Sequence, residues 1–134
     1  MSETTPAQLA KLVRDRAGDV CEYCRLPQIS QEAVFHIDHI WPRVAYGSTS
    51  ADNLALACVT CSLKKAARTH AHDPLTKELV PLFHPRQNRW TDHFCWSRGC
   101  RILGLTPTGR ATALALGMNR PAVIAIRKAL TKLG

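Results

Sequence analysis

The stretch Phe35-His36-Ile37-Asp38-His39-Ile40-Trp41-Pro42, continued through Gly47 and Asp52-Asn53 into Leu54-Ala55-Leu56-Ala57-Cys58-Val59-Thr60-Cys61-Ser62-Leu63-Lys64-Lys65, decides how this chain folds. Ala33 to Ile40 reads as a strand. Trp41-Pro42 ends it, because proline fixes φ and lacks the N–H that a sheet ladder needs. Residues 43–53 carry the Gly, Ser and Asx residues of a loop. Leu54 to Ala57 is a second short apolar strand, and a helix then runs from the Cys58-x-x-Cys61 pair through Arg68. Strand, loop, strand and helix make a ββα unit.

Upstream, Cys21-Glu22-Tyr23-Cys24 repeats the cysteine spacing of Cys58 and Cys61. Four soft thiolates in two tight turns suit tetrahedral Zn²⁺, and sites of that kind are closed and structural. A helix leads into the first pair. Thr5 is its expected N-cap, with Pro6 at the first helical position. Leu9, Leu12, Val13 and Ala17 are its apolar face, and Gly18 its C-cap. Residues 1–4 are expected to fray. Six cysteines in the reducing compartment expected for this chain argue for metal ligation over a disulfide framework.

The 134 residues carry a net charge of +8. Residues 1–83 hold nine Lys/Arg and nine Asp/Glu, whereas residues 84–134 hold nine Lys/Arg and Asp92 alone. A basic lobe beside a metal site suits a polyanion, of which nucleic acid is the simplest; a basic face kept for solubility is the equal alternative. No apolar run approaches the roughly 18 residues needed to span a bilayer. Met1-Ser2-Glu3-Thr4-Thr5 has neither the basic nor the apolar segment of an export signal, so a cytoplasmic protein without a membrane partner is expected.

Beyond the ββα unit, residues 70–85 read as a connecting arm, with Asp73-Pro74 and Lys77-Glu78 as turn material. Trp90 to Trp96 and Arg101 to Leu105 pair as a hairpin around Ser97-Arg98-Gly99, with Trp90 and Trp96 as core residues. Cys95 and Cys100 are hairpin thiols able to form a cross-strand disulfide on oxidation, and a metal site with His93 is the minor alternative. Thr106-Pro107 caps a helix to about Gly117, and Asn119 to Leu133 forms a last helix with Val123, Ile124, Ile126 and Leu130 as its stripe.

Asp38-His39 is the chemical centre. A carboxylate can hold a hard cation such as Mg²⁺, and an imidazole with an ordinary pKa of about 6.5 can take a proton from water near neutrality. Taken alone, the pair reads more readily as a capping Asp beside a surface His. Strand alternation puts His36 on the face of Asp38, and His39 on the other.

Asp38-His39-Ile40, Pro42, Gly47, Asn53-Leu54 and Cys58-x-x-Cys61 together resemble the HNH endonuclease family, of the ββα-metal type with cysteine-bound zinc. Residues 79–86 and 104–112 resemble, more loosely, the segments that follow the core in bacterial HNH proteins. The resemblance implies an α+β protein: an N-terminal helix and a zinc-clamped ββα-metal core over residues 1–70, then a hairpin and helical extension over residues 71–134. It implies an endonuclease that hydrolyses phosphodiester bonds in nucleic acid, with double-stranded DNA the expected partner. His39 is then the general base, Asp38 a ligand of a catalytic Mg²⁺ or Mn²⁺, and Asn53 the residue that pins the loop. Ser62 stands where the family usually places a His or Asn ligand, with His36 as a further candidate for the cation. Ala66 stands near a position often held by Gly. Lys64, Lys65, Arg68, Arg120, Arg127 and Lys128 are expected phosphate contacts. The alternative is a zinc-stabilised DNA-binding module with weak or lost cutting. Sequence preference, nicking against double cutting, DNA against RNA, biological role and oligomeric state lie beyond this sequence.

Overall fold

The computed structural model describes residues 5–133. The expectation for residues 1–4 lies outside that range. Helix α1 spans Ala7–Ala17, one residue later than predicted, with Pro6 in the N-cap position and Gly18 closing it in the left-handed region. Val13 is fully buried, but Leu12 faces solvent, so the apolar face is narrower than its spacing suggested. Strands β1 (His36–His39) and β2 (Leu54–Ala57) pair antiparallel, His36 opposite Ala57 and His39 opposite Leu54. Residues 33–35 do not join the ladder; the Phe35 N–H donates instead to Gln28 Oε1. Helix α2, Val59–Lys65, follows β2 directly, with Cys58 as its N-cap. The protein is α+β, and its centre is the ββα unit.

The segment read as a connecting arm contains a further hairpin, β3 (His70–His72) with β4 (Leu79–Pro81). His-Ala-His and Leu-Val-Pro carry no apolar alternation. The hairpin is held by its turn, where Asp73 accepts hydrogen bonds from Leu75 N and Thr76 Oγ1. Asp73 is fully buried and bound by the Arg110 guanidinium at 2.8 and 3.0 Å, a contact that holds its carboxyl well below the usual range.

A short helix α3 (Trp90–His93) leads into the hairpin β5 (Phe94–Ser97) and β6 (Arg101–Gly104). Its register pairs Cys95 with Leu103 and leaves Cys100 in the turn, so the two thiols are not cross-strand partners. His93 is engaged by Thr106 Oγ1 at 2.6 Å and belongs to no metal-type cluster among the described residues. Helix α4, Pro107–Ala115, begins under a Thr106 hydroxyl that accepts the Gly109 N–H at 2.9 Å. Helix α5 spans Pro121–Leu133.

One hydrophobic cluster runs through both halves of the chain. Val13, Tyr23, Leu54, Leu56 and Phe83 pack with Trp90, Phe94, Ile102, Leu116 and Val123. Trp90 donates its indole N–H to the Tyr23 carbonyl, and Arg86 pairs with buried Glu22 inside the first cysteine knuckle. Trp90 is buried as expected, whereas Trp96 is 52% exposed. No helix among the described residues is long and apolar enough to cross a membrane.

Candidate active site and metal centre

The first knuckle is shaped by its backbone. Cys21 N donates to Leu26 O, Arg25 N donates to Cys21 O, and Arg25 takes a positive φ of 69°. Glu22 locks this turn to β2 twice: its N–H donates to Leu56 O, and its carboxylate accepts from Leu56 N at 2.8 Å. The second knuckle uses the start of α2. In both, the second cysteine's N–H donates to the first one's sulfur at 3.4 Å, which lowers the charge that each thiolate presents.

The Sγ atoms of Cys21, Cys24, Cys58 and Cys61 lie within 4.8 Å of one another, and all four residues are buried. Burial pushes the Cys21 thiol up, while contacts with Cys21, Cys24 and Cys61 push Cys58 far down. Four soft donors at that spacing around one point fit a structural Zn²⁺. They are the only cluster of three or more metal-type side chains among the described residues.

The second centre lies where β1 meets α2. An open cleft of about 570 Å³ is lined by His36, Asp38, His39 and Ser62, with Pro42 and Arg43 at one side. His36 Nδ1 lies 2.9 Å from Ser62 Oγ. His39 Nε2 lies 2.8 Å from Thr49 Oγ1, a loop residue that no sequence signal marks. Burial lowers the His39 pKa from its ordinary value, neighbouring Asp38 raises it and Lys65 lowers it. Asn53, 8% exposed, accepts from Trp41 N at 2.9 Å and donates to Trp41 O and Ser48 O at 3.0 and 2.8 Å. It ties both ends of the loop that carries Thr49. Gly47 lies in the same loop, where an added Cβ would overlap the Trp41 carbonyl.

Residues 21–68 match the model of the HNH endonuclease family. They form an HNH endonuclease domain of the zinc-knuckle type. HNH nuclease domains act on nucleic acid, so the coarse function is nuclease-like and the partner a nucleic acid. Comparison with curated proteins gave no match, and comparison with solved structures gave none.

Two of the expected phosphate contacts in and beside the HNH domain are corrected. Lys65 is 1% exposed, and its ammonium sits 3.2 Å from Asp38 Oδ2 and 3.0 Å from His39 O. Tyr23 OH donates to the same Asp38 oxygen at 3.1 Å. Burial raises the Asp38 pKa, and Lys65 and Tyr23 oppose that. Arg127 is 6% exposed and bonds backbone carbonyls. Both sit on helix faces that turn inward, so neither meets a ligand at the surface. Lys64, Arg68 and Lys128 are exposed, and Arg120 is half-buried with a hydrogen bond to Gly117 O. Ala66 closes α2 at φ 50°, ψ −131°, backbone that glycine adopts freely and alanine does not.

Proposed function

We propose that the protein is an endonuclease that hydrolyses phosphodiester bonds in double-stranded DNA, with His39 as general base and one divalent cation at Asp38. The observation that carries this reading is the convergence of His36, Asp38, His39 and Ser62 on one open cleft within the HNH domain. Because burial holds the His39 pKa down, the imidazole is neutral near pH 7 and can accept a proton. In this reading Nε2–H donates to Thr49 Oγ1, and Nδ1 carries the lone pair that takes the proton from the attacking water. Asn53 holds the loop so that Thr49 keeps the ring at one angle.

Asp38, with His36 and Ser62 beside it, would hold Mg²⁺ or Mn²⁺; a single carboxylate completed by water and substrate phosphate is an ordinary Mg²⁺ environment. Such an ion supplies positive charge to the phosphate and the leaving oxygen. Lys64, Arg68, Arg120 and Lys128 would contact the backbone phosphates.

The Asp38–Lys65 ion pair favours a second reading, a zinc-stabilised DNA-binding module with weak or lost cutting. The carboxylate's charge is already met there, and Ser62 offers only a neutral hydroxyl. Supercoiled plasmid incubated with a panel of divalent metals separates the two. Metal-dependent nicking or linearisation by wild type supports the enzyme; binding without cutting under every metal leaves the module.

A further inference from the structure

Helix α5 sends a buried guanidinium back across the whole chain to the cysteine cluster. Arg127 Nη2 donates to Cys24 O at 3.1 Å, and Nη1 donates to Cys100 O at 3.1 Å. Its Nε is buried without a hydrogen-bond partner. Arg25, next to Cys24 in the chain, is half-buried on the same side of the knuckle. Both line one cavity of about 350 Å³ with Leu26, Trp96 and Leu130. Among the described residues neither guanidinium has a carboxylate within ion-pair distance. Aromatic faces hold them instead: Arg25 lies 4.9 Å from the Trp90 ring centre and Arg127 lies 5.3 Å from that of Trp96, with the two indoles 5.7 Å apart.

A buried and a half-buried cation without an anion are costly, because burial removes hydration that a quadrupole only partly replaces. The buried anion within reach is the cysteine cluster itself. A Zn²⁺ bound by four thiolates carries two net negative charges. We infer that Arg25 and Arg127 are the counter-charges of the zinc–tetrathiolate centre, positioning residues that neutralise it from outside the ligand set. This rests on the reading of the four cysteines as a zinc site. It makes the C-terminal helix, far outside the family match, part of what retains the metal. The Trp90–Trp96 pair then serves as the rack that keeps both guanidinium planes against the knuckle.

The test is zinc retention, measured as release to a chromophoric chelator and as alkylation of the bound thiolates by iodoacetamide. Zinc content of the full-length wild-type chain is measured first; its absence there sinks the zinc reading and this inference with it. With zinc present, Arg127→Gln should lose metal about tenfold faster or more, the usual scale for groups that support a metal's ligands. Its thiolates should also alkylate faster, because less positive charge faces them. Arg127→Lys, which keeps the charge but not the fork, should recover most of the alkylation resistance. Arg25→Gln should shift both rates in the same direction, and it decides the matter if Arg127→Gln does not fold. Folded Gln variants with wild-type release and alkylation rates would overturn the proposal, as would Arg127→Lys behaving like Arg127→Gln in alkylation.

Discussion

The two ends of helix α2 carry opposite kinds of site. At its start, Cys58 and Cys61 close a cluster with no water-facing side, held by N–H···S bonds. One to two turns later, Ser62 lines an open cleft with His36 and Asp38, and buried Lys65 pairs with that Asp38. The closed end offers four like donors and suits a metal that stays. The open end offers a carboxylate, two imidazoles and a hydroxyl, each already engaged by a neighbour, and suits a reaction whose partners come and go. The difference teaches that a rigid clamp and a reactive cleft can share one short helix, provided the clamp sets the helix before the cleft is used.

The strongest blow to the closed end is Cys58→Ser. Because ligand binding there is folding free energy, the variant should show no cooperative thermal transition and no bound zinc by metal analysis. A zinc-free variant that still melts cooperatively would show that the clamp does not set the helix.

At the open end, His39→Ala should lower plasmid cleavage by about 10²- to 10⁴-fold, the usual worth of a general base, with zinc content and DNA binding unchanged. In wild type, cleavage should fall on the acid side as His39 becomes protonated. The midpoint should lie below the ordinary histidine value, since burial lowers this pKa. A rate insensitive to pH between 5 and 8 would remove His39 from the chemistry.

Lys65→Met attacks the join between the two ends. It leaves Asp38 buried without its cation and should cost about 3–5 kcal/mol in denaturant unfolding. Adding Asp38→Asn should restore most of that loss, since the uncompensated charge is then gone. Equal stability of the single variant and wild type would mean that Lys65 does not lock the cleft.

The smallest expected effect is at the end of α2. Ala66→Gly should stabilise the protein by about 1 kcal/mol, because glycine adopts this positive φ without a Cβ penalty. A lower melting temperature would show that the Ala66 side chain packs usefully enough to outweigh the strain.

Much of this was legible in the residues alone. Cysteine spacing and the breaks at Pro42 and Gly47 marked the ββα unit, and Thr106-Pro107 marked the start of α4. The hairpin within residues 70–85 was not legible, since its strands lack alternation and its turn is held by Arg110 from a distant helix. Thr49 and Tyr23 escaped notice as partners of His39 and Asp38, because hydroxyls in loops and knuckles carry no periodic signal.

The sequence by itself determined which local chemistry exists: four thiolates in two tight turns, an Asp-His pair ahead of a proline, and a positive excess confined to residues 84–134. Those properties depend on residue type and short spacing. Only the tertiary structure decided which charges remain available. Lys65 and Arg127 look like solvated cations on helices, yet the first is consumed by Asp38 across the ββα unit. The second is turned inward onto a backbone carbonyl 103 residues away. A cation's partner is set by which surfaces pack together, and packing brings together positions that have no fixed separation along the chain.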